Sequence, residues 1–115
     1  MPFEPKEKIE LDPPEDRQFT VEELAKYDGK TYKEMYIAIK GVVFDVTRNQ
    51  QAYGPGSSYN LFVGKEASIG LAKSSLNPED LQGSIDDLTP EELGVLNDWF
   101  TFFSKRYNIK GNIIV

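Results

Sequence analysis

Residues 35–47 read Met-Tyr-Ile-Ala-Ile-Lys-Gly-Val-Val-Phe-Asp-Val-Thr. Met35, Ile37 and Ile39 alternate with Tyr36, Ala38 and Lys40, the period of two that belongs to a strand. Lys40-Gly41 supplies a turn, and Val42–Val46 reads as a second strand, so the stretch predicts a hairpin-like pair. Asp45 and Thr47 can end it by local side-chain hydrogen bonds.

On the N-terminal side, Thr20 followed by Glu23 is a capping box, and Phe19 and Leu24 stand at hydrophobic-staple positions. A short helix is expected over Val21–Lys26, stopping near Asp28-Gly29. Residues 1–18 hold four of the seven prolines (Pro2, Pro5, Pro13, Pro14) among alternating charges. They read as a flexible tail, because so few apolar groups cannot offset the entropy of ordering; the other reading packs Phe3 and Ile9 onto the domain. The domain is expected to span 19–115.

On the C-terminal side, residues 48–58 are polar and glycine-rich and predict irregular backbone. Ser57 or Ser58 is expected to cap a short helix carrying Tyr59, Phe62 and Val63, which Gly64 ends. A further helix holds Ala67, Leu71 and Ala72 and stops before Pro78. Thr89, Pro90 and Glu92 repeat the capping-box signal, with Leu88 and Leu93 as the staple. The helix that follows, Pro90 to about Arg106, is the longest element. Leu93, Leu96, Phe100, Phe103 and Tyr107 recur at helical spacing, with Trp99 and Phe102 beside them, and predict a core face. The chain closes on an apolar Ile113-Ile114-Val115. With no βαβ alternation, repeat or heptad run, the expected class is α+β.

Length and composition narrow the function. A chain of 115 residues suits one domain. A net charge of −6 and no basic stripe argue against nucleic acid and against an anionic lipid surface, and favour a basic partner protein. Cysteine is absent, which excludes disulfides and thiolate metal sites and suits a reducing, intracellular compartment. Histidine is absent as well, removing the commonest metal ligand and general base. A site in this chain must use oxygen ligands, lysine or the two methionines. No stretch reaches the ~20 apolar residues of a membrane span, and no signal-peptide region precedes the domain. The chain therefore reads as soluble, although it would equally suit the soluble part of a longer anchored protein.

Several chemistries fail on inspection. Gly54-Pro55-Gly56 lacks the lysine of a phosphate-binding loop. No Ser-His or Cys-His arrangement exists. Asp86-Asp87 lacks the alternating oxygens of a calcium loop, and with Glu91-Glu92 reads as acidic groups near a helix N-terminus. The informative segment is Ala52 to Gly64. Tyr53 and Tyr59 lie six apart across a glycine loop and ahead of an apolar helix face. Such a segment can wall a flat apolar pocket with hydroxyls inside it, with Phe62, Val63 and Leu71 as further lining. Ordinary packing of two amphipathic rings is the other reading.

The run Ile37–Thr47, then Tyr-Gly-Pro-x-x-x-Tyr-x-x-Phe-x-Gly-Lys-Glu-Ala-Ser-x-Gly-Leu-Ala, resembles the membrane-associated progesterone receptor family, a branch of the cytochrome b5-like haem and steroid-binding domains. The similarity continues through Asp87-Leu88-Thr89, Asp98-Trp99 and Lys105-Arg106-Tyr107. It covers roughly residues 19–112 and sets the chain apart from cytochrome b5 itself, whose haem is held by two histidines. The resemblance implies a small mixed sheet with short helices forming a ligand pocket and one longer C-terminal helix. It implies haem b as cofactor, with Tyr59 as axial ligand and Tyr53 hydrogen-bonding near it. Arg106 and Tyr107 match a Lys-Tyr pair near the haem propionates. It also implies a non-catalytic module, linked to steroid binding and to microsomal haem monooxygenases of sterol metabolism, on the cytoplasmic face of endomembranes. The chain departs from the family at Ser57-Ser58, where Gly-Pro is usual, at Ala52, where an aromatic is usual, and at Ile69, where arginine is usual.

The chemistry agrees with that assignment, because tyrosine is one of the side chains that hold haem iron. An anionic oxygen ligand favours the ferric state, which suits binding or regulation better than electron shuttling. Two alternatives remain. One is a haem-free steroid or lipid carrier lined by Tyr53, Tyr59 and Phe62; the other is an electron-transfer haem protein.

Overall fold

The computed structural model describes residues 11 and 13–114. Its centre is the expected hairpin. Strands β2 (Tyr36–Ile39) and β3 (Val42–Asp45) pair antiparallel, with Ile37 opposite Phe44 and Ala38 opposite Val43. Lys40 and Gly41 both take positive φ (52° and 77°), the two-residue turn whose twist suits a hairpin. The Asp45 carboxylate accepts from the Thr47 N–H and hydroxyl, and the Thr47 hydroxyl in turn accepts from the Met35 N–H.

Two strands complete the sheet in the order β1-β4-β3-β2. β4 (Asn108–Ile113) runs antiparallel to β3 with an irregularity between Val43 and Phe44, and β1 (Arg17–Phe19) runs parallel to β4. The sheet is therefore mixed. Arg17 and Gln18, expected in the tail, belong to it. Ahead of them the Glu15 N–H donates to the Ile109 carbonyl at 2.9 Å, and Lys110 pairs with Glu15 at 2.9 Å. Backbone pairing orders this stretch without needing apolar side chains. Residues 1–10 and 12, including Phe3 and Ile9, lie outside the described residues, as does Val115.

Alternation along β2 divides the interior. Met35, Ile37, Ile39, Phe44 and Val46 face one cluster; Tyr36, Ala38 and Val43 face a second with Phe19 and Leu24. The second cluster lies beneath α1 (Val21–Ala25), whose capping box has both reciprocal bonds, and the staple residues Phe19 and Leu24 are buried together in it. The first lies beneath α4 (Pro90–Arg106), also started by a complete capping box, with Pro90 in its first turn. Leu96, Phe103 and Tyr107 are buried as expected, Trp99, Phe100 and Phe102 are half-buried, and Leu93 is 37% exposed.

Between β3 and α4 the chain makes short pieces. α2 (Gln50–Tyr53) is a single turn inside the stretch expected to be irregular. A 3-10 turn covers Asn60–Phe62, and α3 (Ser68–Ala72) follows. No helix among the described residues is long and apolar enough to cross a membrane.

Candidate functional site

The two tyrosines of interest are set by the loop between them. Asn49 caps α2 by accepting from the Ala52 N–H at 3.3 Å. Gly54 then turns the chain with φ −68°, a value open to any residue. It is glycine for space: a Cβ there would lie 2.6 Å from the Gln50 carbonyl oxygen. The Ser57 N–H donates to the Gly54 carbonyl, and its hydroxyl donates to the Gln50 carbonyl at 3.2 Å. The Tyr59 N–H donates to the Ala52 carbonyl at 3.1 Å, and the Asn60 amide donates to the Tyr53 carbonyl at 2.9 Å. The loop closes on itself and holds both rings. The expected serine cap is absent: Tyr59 occupies the position before the 3-10 turn, with no side-chain cap, because Ser57 is engaged with Gln50.

The two phenols have different surroundings. Tyr53 is buried in the first cluster, with Tyr59, Phe103 and Tyr107 at centroid distances of 6.0, 6.2 and 6.2 Å. Burial, then the phenols of Tyr107 and Tyr59, push its pKa well above the usual tyrosine range; Arg106 opposes this weakly. Tyr53 is thus a neutral hydroxyl beside the phenol of Tyr107. Tyr59 is half-buried, stacked on Phe62 at 5.9 Å and met edge-on by Trp99 at 6.4 Å.

Tyr59 lines a cavity of about 240 Å³ with Phe62, Gly70, Leu71, Leu76 and Trp99, and with Ser74 and Ser75 at its edge. Gly70 matters to its floor, since a Cβ there would meet Leu81 Cδ2 at 2.6 Å and Phe62 Cε1 at 2.9 Å. Of the residues expected around the ligand, Tyr59, Phe62 and Leu71 therefore meet. Val63 does not join them; it lines a separate groove with Ala25, Asn60 and Lys65.

Arg106 and Tyr107 form a second, polar cleft of about 200 Å³ with Arg48 and Asn49. The Asn49 amide donates to the Tyr107 hydroxyl oxygen at 2.8 Å, and Arg48 Nη2 donates to the Arg106 carbonyl at 3.1 Å. The Arg106 guanidinium lies 5.7 Å from the Phe102 ring centroid. Arg48 and Asn49 were not singled out in the sequence. Asn49 carries a helix-capping signal, while an arginine in a polar loop carries none.

The family profile described as "Cytochrome b5-like Heme/Steroid binding domain" matches residues 20–107. The chain is similar to Probable steroid-binding protein 3 of Arabidopsis thaliana, 45% identical over 84% of this chain and 98% of that one. It is similar to the Cytochrome P450 regulator dap1 of Schizosaccharomyces pombe, 40% identical over 88% and 65%. Membrane-associated progesterone receptor component 2 of Homo sapiens is 34% identical over 85% and 45%. Several membrane steroid-binding proteins match as well, and the chain spans about two fifths of their length. A solved Arabidopsis thaliana structure described as having a cytochrome b5 like fold superposes with a TM-score of 0.77 at 44% identity, covering 86% of this chain and 92% of that one.

Proposed function

The chain belongs to the cytochrome b5-like heme/steroid-binding domain family, and on that premise we propose that it is a haem-binding regulatory module whose iron ligand is the Tyr59 oxygen. The observation that carries this reading is the difference between the two phenols. Tyr53 is enclosed and held neutral, whereas Tyr59 opens into an apolar cavity. A metal ligand must reach the metal, and Tyr59 lines the cavity while Tyr53 is enclosed behind it.

The residues present fit haem. The donor set suits it, since tyrosine is an established haem ligand and the chain contains neither histidine nor cysteine. The cavity, about 240 Å³, is smaller than the ~300–1,000 Å³ clefts that enclose a drug-sized ligand. A haem would then be held by Tyr59, Phe62, Leu71 and Trp99 without being fully enclosed. Haem, when bound, supplies a Lewis-acidic iron. Tyr59 binds, Phe62, Leu71 and Trp99 exclude water, and Arg106 offers a positive charge at one end. Tyr53 steadies the packing behind Tyr59.

Regulation rather than catalysis is supported by the relative named as a P450 regulator. A net charge of −6 suits docking to a basic face of a haem monooxygenase, and two relatives named as membrane or membrane-associated proteins support a setting at endomembranes. A haem-free steroid reading draws on the cavity's apolar lining with hydroxyls at its edge.

Titration with ferric haem tests the proposal. The wild type should give a tyrosinate-type ferric spectrum and quench Trp99, the single tryptophan, which stands on the cavity wall. Tyr59→Phe should lose the spectrum, with uptake greatly weakened. Undiminished uptake in that variant rejects the ligand assignment. Sterol quenching Trp99 in a protein indifferent to haem would favour the carrier reading.

A further inference from the structure

A leucine exposed on a protein surface is ordinarily unremarked, since much of any surface is apolar. Leu76 differs in where it is and in how it is held. It is 50% exposed, and of the exposed large hydrophobic side chains among the described residues it alone lines the cavity at Tyr59.

The chain reaches Leu76 through a sharp exit from α3. Ser74 takes φ 52°, the left-handed region that is uncommon outside glycine. Its N–H donates to the Leu71 carbonyl at 3.1 Å, and the Ser75 N–H donates to the Gly70 carbonyl at 2.9 Å. The Ser75 hydroxyl donates to Asp80 Oδ2 at 2.6 Å and accepts from the Asn77 N–H at 3.1 Å. Beyond Leu76, the Asn77 side chain accepts from the Glu79 N–H at 3.2 Å, and the Asp80 N–H donates to the Asn77 carbonyl at 2.9 Å. Both neighbours of Leu76 are thus tied down, and its side chain is left half in water at the cavity rim. Ordering this segment costs conformational entropy, and the wet half of the leucine returns nothing to the fold. Apolar ligand surface laid against it would.

At about 240 Å³ the cavity takes in only part of a flat ring ligand, so the remainder extends over the rim. Trp99 lines the same cavity as Leu76, whereas Arg106 stands about two helical turns further along α4, roughly 10 Å away. The Leu76 rim is therefore the apolar side of the site, remote from the charged end of the helix. We propose that Leu76 is a specificity-determining residue: it packs against the ring edge that the cavity leaves outside, favours ligands whose edge carries apolar substituents, and slows their release. Asp80, acting through Ser75, is its positioning residue. This rests on the haem reading given above and adds which edge chemistry the site selects and what sets the ligand's residence time.

The test uses ferric protohaem and ferric haematohaem, which share iron, ring and carboxylates and differ in carrying vinyl or 1-hydroxyethyl groups. Each is loaded onto the full chain, and its release to excess apomyoglobin is followed by absorbance. The wild type should release protohaem more slowly than haematohaem. Leu76→Ser should speed protohaem release roughly three- to tenfold, the range for covering half a leucine's apolar surface, and leave haematohaem release nearly unchanged. Leu76→Met, apolar and of similar volume, should keep the wild-type rate. Asp80→Ala should also speed release, and Asp80→Asn, which keeps an acceptor for the Ser75 hydroxyl, should restore it. In a Leu76→Ser background Asp80→Ala should add nothing, because it acts through the side chain already removed. Thermal melts of the ligand-free variants separate binding from folding, and Leu76→Ser should melt with the wild type.

A Leu76→Ser variant that releases protohaem at the wild-type rate, or that hastens both ligands alike, overturns the proposal. So does a wild type that releases the two at one rate or takes up neither. If Asp80→Ala hastens release as much with Leu76→Ser in place as without it, Asp80 is not the positioning residue. The two readings fail separately. If Tyr59→Phe keeps its haem while Leu76→Ser hastens protohaem release selectively, the ligation is wrong and the Leu76 contact stands. If Tyr59→Phe loses haem while Leu76→Ser and the wild type release protohaem alike, the ligation stands and the contact does not.

Discussion

Tyr53 and Tyr59 have the same side chain, six residues apart, and opposite duties. Periodicity could nominate both, but the sequence could not say which would be enclosed, because that depends on Phe103 and Tyr107 arriving from α4. Two glycines nearby show the same dependence. Gly54 keeps space for the Gln50 carbonyl and Gly70 keeps space for Phe62 and Leu81, and neither has a positive φ to announce it. A prediction follows at Gly70. Alanine there must displace Leu81 or Phe62, which is overpacking of a kind that costs about 1–3 kcal/mol. Because Phe62 lies under Tyr59, Gly70→Ala should also weaken haem uptake. Denaturant melts and haem titration of the same variant check both; a normal melt with normal uptake would mean that the cavity floor gives way freely. Val63 marks a limit of sequence reasoning at this scale. It follows Phe62 directly, but a short 3-10 turn gives no periodicity from which to tell a pocket wall from the opposite side.

Helices announced themselves through their caps, strands only through alternation. Both capping boxes formed as read, because their bonds join residues three apart and need nothing from the rest of the chain. Thr89→Ala should therefore cost about 1 kcal/mol and fray the start of α4, seventeen residues long. Its far end, with Arg106, should be spared, so haem affinity should change little; a parallel loss of affinity and stability would show that α4 responds as one body. The strands β1 and β4 were not legible. Neither alternates clearly, and their pairing joins segments some ninety residues apart. The one local clue is Gly111, buried in β4 at φ 153°, where any Cβ would collide with the backbone of Arg17. Gly111→Ala should push β1 away from the sheet. Amide exchange should then quicken at Ile114, whose N–H donates to the Phe19 carbonyl, while the antiparallel pairing of β2 and β3 stays protected; unchanged protection at Ile114 would contradict it.

The sheet separates two clusters of side chains, and each contains a tyrosine that folding keeps neutral. Tyr53 belongs to the cluster under α4, where burial and then the phenols of Tyr107 and Tyr59 raise its pKa. Tyr36 belongs to the cluster under α1, where burial and then the charge of Asp45 do the same. The division was foreseeable from the alternation along β2, but that both faces would be covered was not, since one cover is supplied by β1 and α1 acting together. The consequence for stability has a definite sign. In the unfolded chain a tyrosine ionises near ~10; in the folded chain these two ionise later. Below that pH both states hold the protons and nothing is gained or lost. Above it the unfolded state sheds protons that the native state retains, so unfolding is favoured as pH rises. Denaturant midpoints should hence be level through neutral pH and fall above about pH 10. Tyr53→Phe removes one of the two groups. At neutral pH it should cost about 1 kcal/mol, the usual cost of removing a buried hydroxyl, but its alkaline decline should be shallower, leaving the part due to Tyr36. If the variant declines as steeply as the wild type, Tyr53 does not keep its proton in the folded chain, and the contrast between an enclosed phenol and an available ligand on which the functional reading rests would be lost.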